Sequence, residues 1–70
     1  MDQEITVVLL EKSSTGELRE IDRRRWSRTM IASLDHVNYL VFNGREYETL
    51  EGRLNVDHGH LELLLVPMQT

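Results

Sequence analysis

Ile5-Thr6-Val7-Val8-Leu9-Leu10 is the stretch on which the fold turns. It is β-branched and apolar at odd and even positions alike, the mark of a strand buried on both faces or left with a sticky outer one. A second stretch, Leu61-Glu62-Leu63-Leu64-Leu65-Val66, repeats that property before Pro67 stops it. Two such strands belong side by side at the centre of a sheet. Ser13-Ser14-Thr15-Gly16 is turn chemistry, and Glu17-Leu18-Arg19-Glu20-Ile21 alternates polar with apolar, so the N-terminal segments predict a β-hairpin.

Further along, Asp22 stands where a helix N-cap belongs, ahead of a helix predicted over Arg23 to Leu34. Ile21 and Trp26 are spaced for a hydrophobic staple, and Trp26, Met30 and Leu34 form one helical stripe able to face the sheet. Asp35 and His36 end it. Val37 to Phe42 is the next strand, and Asn43-Gly44 is a strong hairpin turn because both positions tolerate φ > 0. Arg45 to Thr49 returns as a short strand. Residues 50–56 read either as strand or as short helix, since Tyr47, Leu50 and Leu54 also match helical spacing. Asp57-His58-Gly59 turns the chain into the last strand. The order is β-β-α-β-β-β, an α+β mixed sheet of four to five strands with one helix on one face (ββαββ with the last strand returning to the centre).

The chain has 70 residues, no cysteine, 40% hydrophobic residues and a net charge of −4. That length makes residues 1–70 one domain, and a chain of this size buries only about 60% of the surface its unfolded form exposes. Absent cysteines exclude disulfides, thiolate zinc sites, iron–sulfur clusters and thiol nucleophiles. No apolar run approaches the roughly 18 residues of a membrane span. Met1 is followed by Asp2 and Glu4, not by a basic stretch and an apolar core, so the expectation is a cytoplasmic protein without a membrane partner.

This order resembles the ubiquitin-like β-grasp. The resemblance rests on the N-terminal hairpin, the helix near residue 22, the strand Leu40-Val41-Phe42-Asn43-Gly44-Arg45 and the Leu-rich last strand His60 to Leu65. It covers almost the whole chain. The conjugating and sulfur-carrying relatives act through a C-terminal Gly-Gly, whereas this chain reads Val66-Pro67-Met68-Gln69-Thr70; the ferredoxin-type ones need four cysteines. The resemblance therefore implies the non-conjugating use of the fold, non-covalent protein binding as adaptor, inhibitor or accessory subunit. It implies an apolar patch built from the strand after the helix and the last strand, at Val41 and Leu64. The spacing of the residues adds Tyr39, two residues from Val41, and Val66, on the Leu64 face. Reading the strands without the resemblance gives the same face. If Leu61, Leu63 and Leu65 face the helix, Leu64 and Val66 point away from it, and one helix cannot cover both faces of a sheet. An outward apolar surplus suits a protein partner or a homodimer.

Arg19, Arg23, Arg24, Arg25 and Arg28 carry a net +3 over residues 19–28 against Glu20 and Asp22. At a helix N-terminus they oppose the macrodipole, so the alternative reading is an anion or nucleic-acid binder with Trp26 available for stacking. The acidic remainder of the chain argues against nucleic acid, which wants a broad basic face. His58 and His60 are spaced to share a strand face and a metal, with Asp57 or His36, yet Gly59 between them signals a turn. The expectation is no metal and no cofactor. Ser13 and Ser14 lack a nearby His/Asp pair, and the chain leaves little room for a cleft of roughly 300–1,000 Å³, so no enzyme is expected.

Overall fold

In the computed structural model, which describes residues 4–68, β1 (Glu4–Lys12) and β5 (His60–Pro67) run parallel at the centre of a five-stranded sheet. The remaining strands are β2 (Leu18–Ser27), β3 (Tyr39–Phe42) and β4 (Arg45–Asn55), with α1 (Arg28–Ser33) and a single 3-10 turn (Leu34–His36) between β2 and β3. The sheet order is β2-β1-β5-β4-β3, and every pairing but β1–β5 is antiparallel. The fold is α+β, a mixed sheet with one short helix, compatible with a small β-grasp-like fold. Met1, Asp2, Gln69 and Thr70, on which the readings of the two termini bear, lie outside the described residues.

The two stretches that are apolar on both faces occupy the two innermost strands. Val7, Leu9, Leu63 and Leu65 point to the helix side and form a core with Trp26 and Tyr47. Ile31 and Leu34 from the helical segment pack against it. Val8 and Leu64 point to the other side and are nonetheless buried. Arg24 on β2 places its guanidinium 5.7 Å from the ring centre of Phe42 on β3. Those two strands are the opposite edges of the sheet, so the sheet curls around the helix side, which is the concave one.

The helix starts five residues later than Asp22 and Arg23 suggest. β2 continues through the arginine run to Ser27, with Asp22, Arg24 and Trp26 opposite Leu9, Val7 and Ile5. A helix from Arg23 would leave the outer edge of β1 without a ladder over Glu4 to Val8, and buried backbone groups need partners. The same choice takes three arginines out of the unfavourable first turn of a helix. Ser27 is the true N-cap; its Oγ accepts from the Met30 N–H at 3.2 Å. The expected stripe is accordingly broken. Trp26 enters the core from a strand, Leu34 from the 3-10 turn, and Met30 stays half exposed.

Asn43 (φ 53°) and Gly44 (φ 73°) form the β3–β4 turn that the dipeptide predicts. Residues 50–55 are strand. Leu50 is an extra residue between the Thr49–Leu65 and Glu51–Leu64 pairs, a bulge that mimics helical spacing in the sequence. β4 also separates β3 from β5, so the strand after the helix is an edge strand and not the neighbour of the last strand.

Leu65 is fully buried in the core. Leu65→Ala should cost about 2–5 kcal/mol, a large part of what a domain this small possesses. Val41→Thr, on an exposed position, should stay within about 0.5 kcal/mol. Urea unfolding of the two variants measures both; comparable losses would contradict this placement of the core.

Candidate functional site

The β3–β4 register fixes which backbone groups are free. Phe42 and Arg45 close a two-residue turn, and the Thr49 N–H donates to the Asn38 carbonyl at 2.9 Å. Alternate pairs of an antiparallel ladder exchange hydrogen bonds, so Asn38–Thr49, Leu40–Tyr47 and Phe42–Arg45 are the bonded pairs. Tyr39 and Val41 fall between them and direct their N–H and C=O groups away from β4, to the outer edge. The Met68 N–H donates to the Glu46 carbonyl at 2.9 Å, so Glu46, opposite Val41, likewise bonds away from β3.

Side chains at that edge are apolar and open. Val41 is 73% exposed and Tyr39 47%. On the concave side, a cleft of about 240 Å³ lies between β3, β2 and the helical segment, lined by Trp26, Met30, Leu34, Val37 and Phe42, with the Asp22–Arg24 ion pair (2.6 Å) at its wall.

The four sequence-derived contact residues share the convex face but form two groups. Tyr39 lies opposite Glu48, which lies opposite Val66; Val41 lies opposite Glu46. Leu64 sits on the central strand between Leu10 and Glu51 and is only 6% exposed. Val41 and Tyr39 are thus surface, Val66 is half-buried and Leu64 is floor. The strand of glutamates between them, Glu46, Glu48 and Glu51, forms no ion pair among the described residues.

A polar group that sequence reasoning passed over occupies the other end of the convex face. Glu62 on β5 is 7% exposed and receives Arg53 Nε (2.6 Å), Asn55 Nδ2 (3.1 Å) and His60 Nε2 (2.8 Å). An ionised carboxylate only accepts, so Nε2 of His60 carries the proton. These bonds, the one from His60 first, hold the Glu62 carboxyl at about 2 against an ordinary 4.5. The signal was present in the alternation His60-x-Glu62-x-Leu64 on a buried strand, with Arg53 and Asn55 across from Glu62 and His60. His58 stacks on His60 at 5.8 Å between ring centres, but His60 is committed to Glu62. Among the described residues no three His, Asp or Glu side chains are grouped to hold a metal ion.

The arginine run is not a helix N-terminus. Arg19, Arg23, Arg24 and Arg25 lie on β2, and only Arg28 belongs to α1, as its first residue. Period-2 alternation sends Arg24 to the concave face and its neighbours Arg23 and Arg25 to the convex one. Arg19 pairs with Glu11 (2.7 Å), Arg23 with Glu20 (2.9 Å), Arg24 with Asp22 and Arg25 with Glu4 (3.5 Å). Trp26 is buried in the core, not open for stacking. The four on β2 are thus split between faces and each is paired within the chain, while Arg28 has no ion pair among the described residues.

No protein-family model, curated protein or solved structure matches the chain. Among the described residues no helix is long and apolar enough to cross a membrane.

A depressed carboxylate pKa adds stability above the ordinary value and loses it as pH falls toward the folded value. Wild-type protein should therefore lose the Glu62 contribution between about pH 4.5 and about pH 2. Glu62→Gln should be less stable at neutral pH, with the gap in thermal midpoint closing over that window. A gap independent of pH would contradict the ionised network.

Proposed function

We propose that the chain is a ubiquitin-like β-grasp module of the cytoplasm that binds a protein partner non-covalently, as adaptor, inhibitor or accessory subunit. It is not an enzyme on this reading. The observation that carries it is the uncharged edge strand Tyr39-Leu40-Val41-Phe42, whose Tyr39 and Val41 are open in both side chain and backbone. Natural edge strands are usually blunted by charge, bulge or cover. β2 follows that rule, with five charged residues between Glu20 and Arg25 and a bulge opposite Leu9 and Leu10. β3 does not, and an undefended edge beside an apolar cleft suits recognition.

The β-grasp reading is supported by the N-terminal hairpin, the central parallel β1–β5 pair and the helix on the concave face. The contact surface is centred on Tyr39 and Val41, extends through Val66, and rests on Leu64. Its interior is not the place to test it, because Leu64 is buried and a charge there would threaten the fold.

Val41→Lys tests it instead. At so exposed a site the substitution should change stability by no more than about 0.5 kcal/mol. With the tagged full chain as bait in its native host, the wild type should capture a defined partner and Val41→Lys should lose it. Undiminished capture by Val41→Lys would overturn the reading.

A further inference from the structure

We infer that the occupant of this surface is an extended strand of the partner protein, added to the outer edge of β3, with a bulky apolar side chain in the cleft beside Trp26 and Phe42 and basic side chains on the face of Glu46 and Glu48. This rests on the protein-binding reading above and states what is bound there.

Backbone geometry comes first. An added strand needs a row of unpaired N–H and C=O groups, and the β3–β4 register leaves those of Tyr39 and Val41 pointing outward. Pockets for alternate side chains then supply specificity, because successive residues of the incoming strand face opposite sides of the sheet. On the concave side they meet the cleft of about 240 Å³, room for one large apolar group. On the convex side they lie beside Tyr39 and Val41, with Glu46 and Glu48 behind on β4. Neither glutamate has a basic partner among the described residues, so a partner bearing Lys or Arg at those alternate positions supplies the missing charge.

The competing occupant, a second copy, fits less well. Two β3 strands paired edge to edge would join Tyr39-Leu40-Val41-Phe42 to itself and bring no cation to Glu46 or Glu48. The arginines of a neighbouring copy's β2 are already paired within their own chain.

The test pans a displayed library of random short peptides against the full chain, then measures recovered peptides by calorimetry. The expected sequences alternate, with a large apolar residue on one face and Lys or Arg on the other. Val41→Pro removes an outward N–H without touching a β3–β4 bond, a setting in which a strand accepts proline. It should weaken binding about tenfold, the size of one lost hydrogen bond. Glu46→Gln and Glu48→Gln should each reduce the salt dependence of binding. Should Val41→Pro fail to fold, N-methylating the peptide gives the same information: methyl groups at alternate amides abolish binding, and those at intervening amides do not.

Several results would overturn strand addition: no peptide recovered, peptides without basic residues, or binding indifferent both to Val41→Pro and to the methylated positions. A dimer in sedimentation that Val41→Pro dissolves would overturn it too, in favour of the second copy. If Val41→Lys still abolishes partner capture while these backbone tests show nothing, strand addition is wrong and the protein-binding reading stands.

Discussion

The parallel pairing of β1 with β5 is the constraint on which everything else depends. It brings together residues near the two ends of the chain, Val7 to Glu11 against Leu61 to Leu65, and so encloses the rest of the fold between them. Each strand is apolar on both faces, so the pair can be satisfied only in the middle of the sheet, covered on both sides. The concave side is covered by hydrophobic packing under Trp26, Ile31 and Leu34. The convex side has no helix. There Val8 and Leu64 are shielded by their own row neighbours, and Glu62 gathers His60, Asn55 and Arg53 around it. A charged group in that position is tolerable because each neighbour donates to it.

Placing β1 and β5 at the centre forces the hairpins outward and makes β2 and β3 the edges. Their chemistry differs. β2 is long, bulged and densely charged, and its arginines are held by Glu11, Glu20, Asp22 and Glu4. β3 is short and uncharged. A run of arginines that looks like a ligand site in the sequence lies instead along one edge strand, paired with acids of the same chain, and the contrast with β3 is the ground for proposing a partner at the other edge.

Much of the architecture could be read from residues whose local chemistry has one good answer. Asn43-Gly44 specifies a two-residue hairpin, and the doubly apolar strands specify the sheet centre. The helix boundary was not legible. Asp22 is a good N-cap and Trp26, Met30 and Leu34 are well spaced, but the ladder that β1 offers to residues up to Ser27 is a tertiary term that outweighs local propensity. Leu50 misled for a related reason, since one extra residue in a strand shifts period 2 toward a helix-like spacing. Of the surface residues, Tyr39 and Val41 emerged where alternation put them. Leu64 lies on the face that alternation gives it but is buried, because depth depends on how far a strand lies from the sheet edge. The Glu62 network is hidden for a different reason: Arg53 and Asn55 pair with Glu62 and His60 in regular register beside the Asp57-His58-Gly59 turn, but residues 50–56 read equally well as helix, and a helix there would have no cross-strand partners.

Amide hydrogen exchange in the free protein, resolved residue by residue by NMR, reads the open edge of β3 itself. Leu40 and Phe42, bonded to β4, should be protected, while Tyr39 and Val41 exchange at nearly the rate of unstructured chain. Uniform protection of all four amides would mean that the edge is already covered. Uniform exchange would mean that β3 is not a strand of the sheet. Either result would rule out an open edge on β3.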